Sequence, residues 1–437
     1  MKLERLSLAH CGGFEQIDID FEKDVTLIAG VNGVGKSTLL RALAVVLSRA
    51  MPEFTPSRST AIYFTDDDIY NDKSSLEVSA RLQIDGQILN AGVQRLRTIE
   101  EQGDRFVLLR QAESAEEPTD FVESLRSRTL TGNLDAGMKE THAALAKLKT
   151  AANPPLAVYF TPKRRLPGQP RTLSEAKPFD PSIAYSRALH DREVELREFM
   201  YWFRTQEKLG AANEPRRLKV LNDLRNVVGK LVPEFTNLRI QEKPRLGFMV
   251  DKHDQPFYLH QLSDGERGLL ALVFDLTRRL AIANPESDNP IAEGVALVLV
   301  DEIELHLHPK WQREVLGRLR SIFQNCQFVV TTHSPLVLGE VEARCVRFLE
   351  FRDGKVVATI PTEAYGMDAN RVLQELMGTP VRNKQMETKL HSLFELIDAE
   401  EFTQALEKIT ELEQQLGRYE PELTRAKSLI TFLEGSE

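Results

Sequence analysis

The chain has 437 residues, 42% apolar and 28% charged, a globular balance with room for one large α/β head and smaller attachments. A formal net charge of −9 argues against broad electrostatic binding of nucleic acid, and no apolar run approaches the roughly 18 residues that a membrane span needs. Cys11, Cys326 and Cys345 are widely spaced, without a CxxC pair, and the opening Met-Lys-Leu-Glu-Arg-Leu alternates without an apolar signal core; both features predict a reduced, cytoplasmic protein with no membrane partner.

Alternation predicts strands over 2–8 and 17–21, and the apolar run 25–29 predicts a buried strand. The next residues, Gly30-Val31-Asn32-Gly33-Val34-Gly35-Lys36-Ser37, fit GxxxxGK[ST] between that strand and a helix with Leu39, Leu40, Leu43, Val46 and Leu47 on one face. Glycines let backbone N–H groups wrap phosphates, and the helix N-terminus adds its positive dipole end. Gly30, Asn32, Gly33, Gly35, Lys36, Ser37 and Thr38 are therefore the predicted ATP-binding set. Lys36 should reach the β- and γ-phosphates, and Ser37 should ligate Mg2+.

Further strands fit 76–84 and 106–109, and residues 111–150 read as polar helix. The run 156–160 returns to strand, prolines then break regularity, and 185–231 reads as helical with an interruption at 210–215. Strands at 245–250 and 256–259 turn through Lys252-His253-Asp254. Two basic clusters, Lys163, Arg164, Arg165 and Arg171, and Arg216, Arg217 and Lys219, are candidates for a local DNA or RNA groove, set against the plainer reading of solvated charge.

Leu262-Ser263-Asp264-Gly265-Glu266 precedes an apolar helix, with Ser263 and Glu266 spaced as a capping box. Leu297-Val298-Leu299-Val300-Asp301-Glu302 is an apolar strand ending in two carboxylates: Asp301 for the magnesium shell, Glu302 to polarise the attacking water. Thr331-Thr332-His333-Ser334-Pro335 follows the next buried strand and makes His333 a γ-phosphate sensor. From residue 383 the strand signal fades. Asp398 reads as a helix start, Pro421 as the first turn of another, and Leu406, Ile409, Leu412, Leu416, Tyr419 and Leu423 as an apolar stripe.

Phosphate loop, insertion, Leu-Ser-Asp-Gly-Glu, Asp-Glu and Thr-His-Ser-Pro, in that order, resemble ABC-type ATPase heads of the RecF, SMC and OLD-like class. The segment Asp301-Glu302-Ile303-Glu304-Leu305-His306-Leu307-His308-Pro309-Lys310-Trp311-Gln312 narrows the resemblance to the Septu anti-phage ATPases (PtuA) and their retron-associated relatives. This resemblance implies an α/β P-loop NTPase fold: head lobes over 1–160 and 245–380, a mostly helical insertion over 161–244, and a helical tail over 381–437 for oligomer or partner contacts. It also implies slow ATP hydrolysis in a head-to-tail dimer or higher oligomer, with Ser263 and Gly265 contacting the nucleotide of the second copy, and an HNH-type nuclease subunit or retron effector as partner. A RecF-like DNA-binding repair ATPase is the alternative.

Two departures stand out. His10-Cys11-Gly12-Gly13-Phe14 lacks the arginine common after the first strand, and residues 159–165 take the place of the glutamine loop, with Arg164 directed at the phosphates. The 185–231 segment would span only ~70 Å even as one helix, which excludes a long coiled-coil arm. Residues 336–437 lack the acidic strand-end cluster of a TOPRIM domain, so the chain is not expected to cut DNA itself.

Overall fold

The computed structural model describes residues 1–97, 105–110, 145–146, 148–149, 153–166, 170, 172–173, 179–212 and 214–434. Most of the helix expected over 111–150, and Arg171, lie outside them. The chain divides into two compact units, Met1–Ala369 and Asn370–Glu437.

Alternating segments and continuously apolar segments enter different sheets. Strands β1 (Lys2–Cys11) and β2 (Phe14–Asp20) form a hairpin, whereas β3 (Val25–Gly30) is buried along its whole length. Helix α1 (Lys36–Phe54) follows the glycine loop. β4 (Ser75–Ile84), with strict alternation of buried positions, β5 (Gln87–Leu96) and β6 (Arg105–Arg110) complete an antiparallel sheet of order β2-β1-β4-β5-β6. β5 escaped the sequence reading because Asn90 and Gly92 dilute its β-propensity. The signal that could have found it is the Asp85-Gly86 turn, with both residues at positive φ (49° and 75°), which closes a tight hairpin onto β4.

β7 (Leu156–Phe160) precedes a helical hairpin of α2 (Leu196–Ala211) and α3 (Pro215–Leu231), then a small antiparallel sheet of β8 (Phe235–Gln241), β9 (Gly247–Lys252) and β10 (Gln255–Tyr258). Helix therefore begins at Leu196, later than the expected 185. Loop residues before it are pinned instead: Arg279 donates to the carbonyls of Ala184 and Ser186, and Arg192 reaches buried Asp275 at 2.7 Å. Asp275 and Arg279 belong to α4 (Asp264–Ala283), against which α2 also stacks Phe199 on Phe274, ring centroids 4.2 Å apart. Arg279, Arg192 and Arg278 hold the Asp275 carboxyl well below the usual carboxylate range despite complete burial.

β11 (Ala296–Val300), α5 (Pro309–Ile322), β12 (Gln327–Thr332), β13 (Val346–Arg352) and β14 (Lys355–Thr359) finish the first unit. The second sheet has the order β14-β13-β3-β12-β11-β7 and is parallel except at β14. Its central strands are buried along their whole length and mostly apolar because both faces are covered. Helix α1 fills the space between the two large sheets. β3, β12 and β11 are adjacent and in parallel register, Ala29 beside Thr332 and Val330 beside Val300. The glycine loop, the Thr331–His333 segment and the Asp301–Glu302 pair consequently emerge together at one sheet edge, where ligands of open parallel sheets bind.

In the second unit, α6 (Lys384–Asp398), α7 (Phe402–Leu416) and α8 (Pro421–Glu434) form a bundle around Leu390, Leu393, Ile397, Ala405, Ile409, Leu412, Leu423, Ala426 and Ile430. Pro421 opens α8 as expected, but Asp398 ends a helix rather than starting one. The chain turns at Glu400, φ 62°, before α7 begins. Most of the apolar stripe is thus buried inside its own bundle, while Leu406 is 44% and Tyr419 96% exposed. Among the described residues no helix is long and apolar enough to cross a membrane.

Candidate nucleotide-binding site

The glycine loop is shaped by positions that reject side chains. Gly30 has φ 144°, and a Cβ there would lie 2.3 Å from the Leu349 carbonyl oxygen of β13. Gly35, φ 100°, packs against Phe14, whose ring a Cβ would meet at 2.5 Å. Gly35 is also the N-cap of α1 and has no side chain to cap it, so the first N–H groups, at Lys36, Ser37 and Thr38, are left for an anion. Asn32 and Gly33 are exposed at the loop tip. The β1–β2 turn closes over this loop, with Gly12 against the Thr38 methyl. That packing role of Gly12 and Phe14 was invisible in the sequence.

Lys36 is folded onto the loop. Its Nζ donates to the carbonyls of Gly30 (2.8 Å) and Val31 (2.9 Å) and lies 3.2 Å from His333 Nδ1. Burial lowers the Lys36 ammonium to about 8. Burial and the neighbouring Lys36 charge also lower His333, so its imidazole is neutral near pH 7. With Nδ1 facing an ammonium, the ring proton belongs on Nε2, which can then donate outward.

Thr331 joins the acid pair to the histidine segment. Its hydroxyl donates to Asp301 Oδ1 and accepts from the Glu302 N–H at 2.8 Å. Glu304 accepts from the His333 N–H with one oxygen and from Thr332 Oγ1 with the other. Ser334 Oγ donates to Gln312, whose amide donates to the Leu307 carbonyl. Thr331 and Glu304 were quoted in the motifs without a role; only their cross-strand bonds disclose one. Glu302 itself has φ 49°, a left-handed conformation that β-strand continuation would not produce.

Oxygen donors suit a hard cation such as Mg2+. Asp301 is buried at the strand end with one oxygen taken by Thr331, and Ser37 is exposed at the start of α1. This donor set fits the ion that the motif implies.

Ser263 is the N-cap of α4, accepting from the Glu266 N–H and donating to the Glu266 carboxylate, the capping box expected from spacing. Lys252 of β9 pairs with the other Glu266 oxygen at 2.7 Å. Gly265 packs on the turn after the acid pair, where a Cβ would lie 2.2 Å from the His306 carbonyl oxygen.

Arg164 departs from expectation. It does not turn to the phosphates; it is buried and donates to backbone carbonyls, including those of Asp301 and Glu302. The two basic clusters are also largely neutralised. Lys163 pairs with Asp191, Arg216 with Glu286 and Asp288, and Arg217 with Glu214, while Lys219 donates to the Asp288 carbonyl. Arg165 is exposed, and the remaining described residues of these clusters other than Arg164 take part in surface pairs.

Two family models match the chain: one described as "AAA domain, putative AbiEii toxin, Type IV TA system" over residues 148–339, and one described as "AAA domain" over residues 5–142. Over 132 residues the chain is 42% identical to the "Retron Ec83 probable ATPase" of Escherichia coli, a match covering 30% of this chain and 24% of that protein. The chain thus accounts for about a quarter of that relative's length. It is 22% identical over 382 residues to the "Septu protein PtuA" of Bacillus thuringiensis, covering 86% of this chain and 84% of that one. The SMC head domain from Thermotoga maritima aligns over 83% of this chain and 99% of its own at 15% identity and a TM-score of 0.41. The chain is similar to Septu and retron ATPases, as its motifs implied, and it has the α/β P-loop fold with a helical insertion and C-terminal helices.

Proposed function

We propose that this chain is the ATP-binding and ATP-hydrolysing subunit of a bacterial anti-phage defence system, in which pairing of two heads controls a partner nuclease or other effector. The observation that carries the ATPase part is the convergence of Lys36 on His333 at 3.2 Å, with His333, Asp301 and Glu302 tied to one another through Thr331 and Glu304. The similarity to Septu and retron ATPases supports the defence setting.

In this reading the ATP phosphates enter the loop at the N-terminus of α1 and draw Lys36 away from the Gly30 and Val31 carbonyls. Mg2+, held by Ser37 and Asp301, would withdraw charge from the phosphate oxygens. Glu302 accepts a proton from the attacking water, and His333 donates from Nε2 to a γ-phosphate oxygen. Hydrolysis is slow, and a partner such as an HNH-type nuclease subunit or a retron complex supplies the effector chemistry. Each site is composite. Ser263, exposed at the start of α4, faces the γ-phosphate held by a second copy in a head-to-tail pair with twofold symmetry, while Gly265, expected beside it, is buried on the His306 turn of its own head and supports that face from behind. The tail unit contacts oligomer or partner through its outer face, where Leu406 and Tyr419 are exposed, because its apolar stripe is used internally.

The test mixes two inactive variants. Lys36→Ala loses ATP binding measured by calorimetry, Ser263→Arg blocks the shared face, and their mixture regains turnover through one intact site per mixed dimer. Glu302→Gln keeps binding, loses about 10²–10⁴-fold in turnover and accumulates ATP-bound dimers. Normal hydrolysis by Ser263→Arg as a monomer would overturn the shared site, and unchanged turnover in Glu302→Gln would move the base elsewhere.

A further inference from the structure

We propose that Arg164 is a positioning residue for the general base: its guanidinium clamps three successive carbonyls of the turn that carries Glu302 and so sets the direction of that carboxylate. The inference rests on the ATPase reading above.

Arg164 is 6% exposed, and every hydrogen bond it makes among the described residues goes to a backbone carbonyl. Nη1 donates to Asp301 O at 2.6 Å and Thr161 O at 3.3 Å; Nη2 donates to Glu302 O at 2.6 Å and Ile303 O at 3.4 Å. A buried cation is costly unless it is well hydrogen-bonded, and both Nη atoms are engaged, so this arrangement is specific rather than incidental. The carbonyls it gathers are those of residues 301–303, where the chain leaves β11 through the left-handed Glu302. Such a backbone, unfavourable for a residue with a side chain, persists only where its surroundings hold it. Thr331 holds the N–H side of Glu302 and Arg164 holds the carbonyl side. Between them the peptide planes flanking the base are fixed, and with them the direction of its Cα–Cβ bond.

The planar fork matters. Its two outer nitrogens span adjacent carbonyls in one plane, which a lysine ammonium on a flexible stem does not reproduce. Arg164 also lies against the other half of the machinery, since a Cβ on Gly268 in the first turns of α4 would stand 3.6 Å from the Arg164 carbonyl oxygen. The guanidinium therefore acts on the base while the backbone of the same residue packs on the signature helix.

The experiment measures MgATP affinity, kcat and KM for the full chain as wild type, Arg164→Lys, Glu302→Gln and the double variant. Arg164→Lys should keep nucleotide affinity within about threefold and lose about 10–100-fold in kcat, the penalty of an ångström-scale misplacement of a reacting group. The double variant should be no slower than Glu302→Gln alone, because Arg164 acts only through Glu302. A direct phosphate contact would instead weaken binding, and an independent contribution would slow Glu302→Gln by the same factor again; either outcome overturns the proposal, as does an unchanged kcat in Arg164→Lys. Should Arg164→Lys not fold, Arg164→Gln, whose shorter side chain and single nitrogen do not reproduce the fork, is read in the same way. A wild-type chain without turnover would refute the ATPase reading itself and this inference with it, whereas wild-type turnover that survives Arg164→Lys refutes only the inference.

Discussion

Replacing Gly265 by alanine perturbs the contact between the signature helix and the acid turn without touching a charged group. The added Cβ would stand 2.2 Å from the His306 carbonyl oxygen, 2.9 Å from its carbon and 3.4 Å from Leu307 Cα. A carbon–oxygen contact normally closes at about 3.3 Å, so helix and turn must part by about 1 Å. Both are main chain, and no side-chain rotation relieves the clash. Overpacking of this kind costs about 1–3 kcal/mol. A 1 Å shift at a reacting centre can cost about 10²-fold in rate. The assay pairs steady-state ATP turnover with thermal melting and binding of a fluorescent ATP analogue. Gly265→Ala should melt earlier, keep nucleotide affinity within a few-fold and lose about 100-fold in turnover. Gly268→Ala is the internal control, because its Cβ meets the Arg164 carbonyl oxygen at an ordinary 3.6 Å. Wild-type turnover in Gly265→Ala, or an equal loss in Gly268→Ala, would refute the idea that this close approach registers the two elements.

Lys36, lowered by burial to about 8 in the free protein, should recover its proton when phosphates surround it, so ATP binding above pH 8 takes up a proton and weakens by at most about tenfold per pH unit. Calorimetry in buffers of different ionisation enthalpy reads that uptake directly, and none at pH 9 would count against the assignment. His333, whose charged form is disfavoured, should place the acid limb of the rate profile below the ordinary histidine range; a limb at or above it would contradict a neutral donor. Glu304→Ala strips the acceptor from the His333 N–H and from Thr332, so it should slow turnover about tenfold. Combined with His333→Ala it should add little, and fully additive losses in that double variant would separate the two residues.

Order and spacing of the motifs were enough to read the fold class and to nominate the nucleotide site proposed above, because each motif states its own local requirement. Glycines that admit no Cβ, a lysine and hydroxyl after them, an apolar strand ending in acids, and a serine three residues before a glutamate all act through neighbours in sequence or through backbone geometry that the residue type itself restricts. The same logic reads α8 from Pro421 and excludes a coiled-coil arm from the length of the insertion. It fails where the partner of a residue lies on another strand. Thr331, joining Asp301 to the Glu302 N–H, acquires its role only when β11 and β12 run side by side. Arg164 looked like a cation free to meet phosphate, and only tertiary packing buries it against carbonyls 137 and 138 residues away. The tail stripe likewise demanded burial without naming its cover, and the bundle supplied one from its own helices. Periodicity specifies that a face must be hidden and a motif specifies which chemistry is present. Which groups meet across the chain is a property of the folded sheet edge, where desolvation and the number of available hydrogen-bond partners select one arrangement.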